Sequence, residues 1–202
     1  MTIAKPLFSM ALGCLTLAVA AVRLYQEPAR ITVRVLNPAH VPARTAAQAE
    51  RAAASIFRRA GVELDWVDCD VPLACRGELG ALEFWLHLRE PAPAVLHGDA
   101  LGYAVLTHVP RNEGGYAAVS WQAVRTLADS MELDPAPILG VSIAHELGHV
   151  LLGSHSHSRD GVMAAHLRTP QLRMAVRGEL LFDDAQAESI RREIRRRTGA
   201  LE

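Results

Sequence analysis

Apolar and polar residues alternate at three places in the first half of the chain, and this period of two is typical of strands with one buried face. The alternation predicts strands at residues 31–35, 62–66 and 82–88. Between the first two strands, apolar residues recur every three or four positions over residues 43–60, which predicts a helix that ends at Gly61. The order strand, helix, strand predicts a βαβ unit with a right-handed crossover.

The second half of the chain carries shorter apolar runs. Segments 102–106 and 115–120 predict two more strands, and we expect one of them at a sheet edge above a cleft, where an extended peptide could add as a further strand. Residues 122–131 predict a short helix, and a last helix is expected from Asp183 or Asp184 to about residue 197. Between these two helices, residues 138–152 are apolar nearly throughout. This stretch predicts a buried helix that begins after Asp134 and ends at Gly153.

The buried helix contains three polar residues in the pattern H-E-x-x-H, namely His145, Glu146 and His149. Residues four apart lie on nearly the same face of a helix, so the two imidazoles can bind one zinc ion. Glu146 lies about 100° round the helix, where its carboxylate can reach a water on the metal and act as general base. Burying these side chains without partners would cost several kcal/mol, and a metal removes that cost. The alternative is a pair of hydrogen-bonded core histidines.

The stretch from His145 to Met163 resembles the metzincins, in which H-E-x-x-H is followed by a glycine, a third histidine and a methionine turn. It is also similar to small exported bacterial proteins with H-E-L-G-H-L-L-L-G followed by S-x-S-H-S and G-I-M. The resemblance implies a zinc endopeptidase of the α+β class, with a twisted mixed sheet of four or five strands, an N-terminal helix, an active-site helix and a C-terminal helix. It also implies that Met163 forms an apolar floor under the metal, for which simple core filling is the alternative.

The third zinc ligand has more than one candidate. Leu152 stands where the metzincins have their glycine, and Gly153 follows it. The helix is therefore one residue longer than in the family, and the chain leaves it about 100° further round the helix axis. His155 keeps the family's spacing from the first histidine, whereas His157 has more chain with which to fold back and matches the bacterial group. We favour His157, with His155 as the alternative and a ligand elsewhere, such as His166, as a third choice.

A tyrosine usually follows the metzincin methionine turn by two residues, and this chain has Ala165 at that place. If that tyrosine stabilises the transition state in some relatives, another group must do so here. The candidates are Tyr103, Tyr116 and His108.

The net charge, the N-terminal segment and the cysteines indicate which partners and which location to expect. The net charge is −1, which argues against a nucleic-acid partner. Residues 1–21 form an apolar segment that predicts a cleaved signal peptide, or otherwise an uncleaved anchor or a lipid anchor on Cys14, ahead of one domain at 28–199. In an exported protein, Cys69 and Cys75 predict a disulfide, and a free thiol that caps the metal is the alternative.

The sequence therefore predicts an exported zinc metallopeptidase, periplasmic or secreted, that acts as a monomer on peptide or protein substrates. It would touch a membrane only through an uncleaved N-terminal segment. His145, His149 and a third histidine would hold Zn²⁺, with Glu146 as general base. Two alternatives stay open: a zinc-dependent amidase or other hydrolase of a non-protein substrate, and a non-catalytic zinc-binding module on the same scaffold.

Overall fold

The predicted βαβ unit opens the fold. The computed structural model describes residues 28–71, 75–90, 100–105, 114–153 and 156–199. Strand β1 (Ala29–Leu36) is followed by helix α1 (Ala43–Arg59) and strand β2 (Val62–Asp68). β1 and β2 pair in parallel. Gly61 follows the helix with a φ of 80°, as expected of the residue that ends it.

Three more strands complete a single sheet: β3 (Glu83–Arg89), β4 (Gly102–Val105) and β5 (Gly115–Ser120). The strand order is β2-β1-β3-β5-β4. β1, β2, β3 and β5 are parallel, and β4 runs antiparallel to β5 at the edge. The expected α+β class with a mixed sheet is thus confirmed, as is the expectation that one of the two late strands forms a sheet edge.

Four helices follow the sheet: α2 (Trp121–Ser130), α3 (Pro135–Leu152), α4 (Thr169–Val176) and α5 (Asp184–Arg197). The side chains of Ser120, Asp134 and Asp183 each accept a backbone N–H at the start of α2, α3 and α5, which satisfies donors that have no partner inside the helix. The expected caps of α3 and α5 are therefore confirmed. The sequence did not predict α4, a short helix with only Leu172 and Ala175 buried.

Helix α3 contacts β4, β5 and each of the other four helices. Fourteen of its residues are buried, in keeping with the apolar run that predicted it. Its closest neighbour is α1, which crosses it at Gly140, where an added Cβ would lie 2.6 Å from the Cβ of Ala52. The side chain of Arg197 at the end of α5 donates to the carbonyl of Val150 at 3.1 Å. These contacts hold α3 as a fixed support for the polar residues on it.

The cysteine pair is oxidised. Cys69 and Cys75 form a disulfide with their Cα atoms 5.4 Å apart, as predicted, and a disulfide is compatible with an exported protein. The expected signal peptide or anchor at 1–21 lies outside the described residues. Across the described ranges, no helix combines the length and the apolar character that a membrane span requires.

Candidate metal centre

Three histidines meet at the C-terminal half of α3. His145 and His149 face the same side of the helix, and their Nε2 atoms are 3.0 Å apart. His157, from the segment after the helix, places its Nε2 atom 3.0 Å from that of His149. One ring nitrogen from each of the three lies within 4.8 Å of the others, so the group could hold a metal ion. His157 is thus the third member of the group, as favoured from the sequence, and His155 lies outside the described residues.

The segment after α3 turns back because Gly153 ends the helix with a φ of 92°, a region that favours glycine. The segment then passes under the helix at the predicted methionine turn. Met163 is fully buried, and its Sδ atom would lie 2.6 Å from a Cβ added at Gly148, in the helical turn between the two histidines. The turn also brings the carbonyl of Val162 to the ring of His145.

Hydrogen bonds on the far side of two rings fix their orientation. His145 Nδ1 lies 2.8 Å from the carbonyl oxygen of Val162. A carbonyl oxygen only accepts, so this nitrogen carries the proton and Nε2 presents its lone pair to the centre. His149 Nδ1 lies 2.9 Å from the hydroxyl oxygen of Ser156. Such contacts orient the imidazoles that bind metals in proteins.

Burial keeps the two helical histidines neutral at neutral pH. It lowers the pKa of His145, although the bond to Val162 acts in the opposite direction. It lowers the pKa of His149 to about 4, with smaller contributions from His145 and His157, whereas a hydrogen bond to the backbone of Gly153 acts in the opposite direction. A neutral imidazole is the form that binds a metal, because a proton and the metal compete for the same lone pair.

Glu146 is buried beside the histidines, with 5% of its surface exposed. Burial raises the pKa of its carboxyl group from 4.5 to about 8. The backbone of the edge strand passes close to it, since a Cβ added at Gly102 would lie 2.8 Å from Glu146 Oε1. No larger residue fits at position 102 without moving the strand or the glutamate.

A cavity of about 750 Å³ opens in front of these groups. The three histidines and Glu146 form part of its wall, and the rest comes from β4, from α2 and from segment 164–167, which includes His166. More of its lining is apolar than polar. A molecule that lies in this cavity along the edge strand could therefore reach the histidines.

The two tyrosine candidates for transition-state stabilisation lie on β4 and β5, and Tyr103 contributes to the cavity wall. Side chains on a strand alternate between the two faces of a sheet. Gly102 and Gly115 face α3, since an added Cβ would meet Glu146 at the first and Val150 at the second. The side chains of the next residues, Tyr103 and Tyr116, therefore face away from α3. Their hydroxyl oxygens lie 3.4 Å apart there. The third candidate, His108, lies outside the described residues.

Sequence reasoning missed three contributors to the site: the hydroxyl of Ser156, the carbonyl of Val162 and the absent side chain at Gly102. A backbone carbonyl leaves no trace in a residue pattern. Gly102 begins one of the predicted late strands, and a glycine there permits close backbone approach, but the sequence does not show which side chain lies opposite it. A serine next to a histidine is too common to single out.

The chain matches no protein-family model and no curated protein. The likeness to metzincins therefore rests on the motif between His145 and Met163 and on the order of the elements.

Proposed function

We propose that the protein is an exported zinc metallopeptidase in which His145, His149 and His157 hold the metal and Glu146 is the general base. The observation that supports this most is the convergence of three imidazole Nε2 atoms, two of them from one buried helix, at the wall of a cavity. Imidazole nitrogen is a preferred ligand of zinc. Three protein ligands with an open position are the usual arrangement of a catalytic zinc site, whereas structural sites are closed by four.

Bound zinc would polarise the substrate carbonyl and make water acidic enough to attack at neutral pH. The residues of the chain supply the proton transfer and hold the ligands. Glu146, once ionised, accepts a proton from the attacking water on its carboxylate and passes it to the leaving nitrogen. The Val162 carbonyl keeps the proton of His145 on Nδ1. The apolar part of the cavity wall limits the water around the carboxylate, which strengthens its interactions with nearby charge.

The edge strand favours a peptide as the substrate. β4 pairs with β5 on one side and lines the cavity. An extended peptide can add to such an edge through backbone hydrogen bonds. Because position 102 is glycine, the edge approaches Glu146 closely, so a peptide bound along β4 would pass next to the general base. Leu101 and Ser120 form a hydrogen-bonded pair, so in this register the N–H of Ala104 points away from β5, to the free edge. Substitution of Ala104 by proline should therefore weaken the binding of an extended-backbone inhibitor.

Metal analysis of the purified protein tests the ligand set. We expect wild type to bind one zinc ion, His157→Ala to lose most of its affinity, and His155→Ala to keep it. The two histidines lie two positions apart in the same segment, so each variant serves as the control for the other. Retention of zinc by His157→Ala, or loss from His155→Ala alone, would refute the assignment.

Turnover of unstructured peptides tests the role of Glu146. We expect Glu146→Gln to keep its zinc and to lose hydrolysis by about 100-fold or more, which is the range for a positioned acid or base. If wild type binds zinc but cleaves only a non-protein amide, the protein is an amidase. If it binds zinc and cleaves neither kind of substrate, it is a binding module.

A further inference from the structure

The hydroxyl of Ser156 makes two contacts whose directions depend on each other. It donates its single proton to the carbonyl of Gly153 at 2.8 Å. The same oxygen lies 2.9 Å from Nδ1 of His149. A serine hydroxyl has one proton, and a carbonyl oxygen cannot give one. The serine oxygen must therefore accept from His149, whose Nδ1 carries the ring proton.

From these contacts we infer that Ser156 is a positioning residue that holds His149 in the tautomer whose Nε2 is free to bind a metal. The inference rests on the metal centre of the proposed function but not on hydrolysis. Ser156 does not touch the metal position itself. It acts through the ring of His149, on the side away from His145 and His157.

The alternative tautomer of His149 would have a good partner inside the centre. His145 is already committed to the Nδ1 proton by its bond to the Val162 carbonyl, so its Nε2 can accept. If His149 carried its proton on Nε2, that proton would point at His145 Nε2, 3.0 Å away, at an ordinary hydrogen-bond distance. A hydrogen bond would then join the Nε2 atoms of His149 and His145, and neither would present a free lone pair to a metal. The acceptor supplied by Ser156 opposes this closed arrangement, in addition to the backbone of Gly153, which also hydrogen-bonds the ring of His149.

The same hydroxyl also ties the loop that carries the third ligand. Its bond to the Gly153 carbonyl closes the turn after α3, and His157 is the next residue along the chain. A purely structural serine would need only this bond. Ser158 is such a residue, because its hydroxyl donates to the Asp160 carbonyl at 2.7 Å, and among the described contacts it touches no histidine. It offers a matched control two positions away.

The experiment uses the full chain and compares wild type, Ser156→Ala, Ser156→Thr and Ser158→Ala. Zinc affinity is measured by competition with a chelator at pH 7.5. We expect Ser156→Ala to lower the affinity about 10- to 100-fold, as is usual when the outer partner of a ligand histidine is removed. Threonine keeps the hydroxyl and should restore most of the affinity, and Ser158→Ala should match wild type. Equal losses in the two alanine variants, or no loss in Ser156→Ala, would overturn the inference.

A second readout reports the tautomer directly. Long-range ¹H–¹⁵N NMR of the metal-free protein distinguishes a ring proton on Nδ1 from one on Nε2, and the spectrum of His149→Gln assigns the signal. We expect Nδ1–H in wild type and a larger share of Nε2–H in Ser156→Ala. An Nε2–H signal in wild type would refute the inference even if the alanine variant failed to fold. A wild type that shows Nδ1–H but binds no zinc would instead refute the metal centre of the proposed function.

Discussion

A buried carboxylate should make the metal-free protein less stable as the pH rises. Burial raises the pKa of Glu146 from 4.5 to about 8, and within the described part of the chain no cation or hydrogen-bond donor offsets it. Between these two values, the folded state holds a proton that the unfolded state has released. The free energy of unfolding therefore falls through this window, and the cost is complete above about pH 8.

The size of the effect follows from the two pKa values. Each pH unit between 4.5 and about 8 lowers the unfolding free energy by about 1.4 kcal/mol, for a total of about 5 kcal/mol. Glutamine has nearly the same shape and stays neutral. We therefore expect Glu146→Gln to stabilise the metal-free protein by about 1 kcal/mol at pH 5 and by about 5 kcal/mol at pH 8.5.

Urea unfolding of chelator-treated protein at both pH values measures this difference. The same substitution at the exposed Glu78 is the control, and it should change stability little at either pH. Saturating zinc should shrink the difference at pH 8.5, since a cation on the histidines favours the charged carboxylate. A difference between wild type and Glu146→Gln that does not grow with pH would show that the carboxylate is solvated or paired, and the reasoning would fail.

Three further predictions test the packing and the metal. Gly140→Ala should lower the unfolding free energy by about 1–2 kcal/mol in urea, because the new Cβ would lie 2.6 Å from the Cβ of Ala52 and the overpacking exceeds the gain in helix propensity. Gly102→Ala should reduce peptide hydrolysis about 100-fold with zinc content unchanged, since its Cβ would displace Glu146 or the edge strand. When free zinc is present at 100 times its dissociation constant, its removal should lower the unfolding free energy by about 2.7 kcal/mol. The melting temperature measured by calorimetry should fall by about 5–11 °C.

Local patterns in the sequence predicted most elements but not how they assemble. Period-two alternation located β1, β2 and β3 to within about one or two residues, because each has one face in the core. The strand order β2-β1-β3-β5-β4 depends on contacts far apart in the chain, which no local pattern carries. Helix α4 was missed because it is short and buries only Leu172 and Ala175, too few apolar positions for a helical period to be recognised.

The candidate metal centre was likewise predictable only in part. Helical spacing alone brings His145 and His149 together, so that part was predictable. The approach of His157 depends on the φ of Gly153 and on the path of the loop after it, and spacing left that choice to the family resemblance. The orientation of the Tyr103 side chain was also predictable. If Gly102 faces the cleft, the next side chain along the strand faces the opposite side of the sheet.

The same groups that make the centre chemically useful also limit the pH range in which the metal-free fold is stable. A neutral His149 with a pKa lowered from 6.5 to about 4 costs stability as the pH falls below 6.5, by up to about 3 kcal/mol. Glu146 costs stability as the pH rises above 4.5. A cation bound to the histidine lone pairs opposes the second change, since it favours the charge on Glu146. It steepens the first, since it excludes the proton from His149 in the folded state. We therefore expect metal binding to lower the pKa of Glu146 and to release its proton near neutral pH, and by linkage the affinity for zinc should rise with pH in that range. A titration calorimeter would detect this release as a binding enthalpy that depends on the buffer, and the dependence should be smaller in Glu146→Gln.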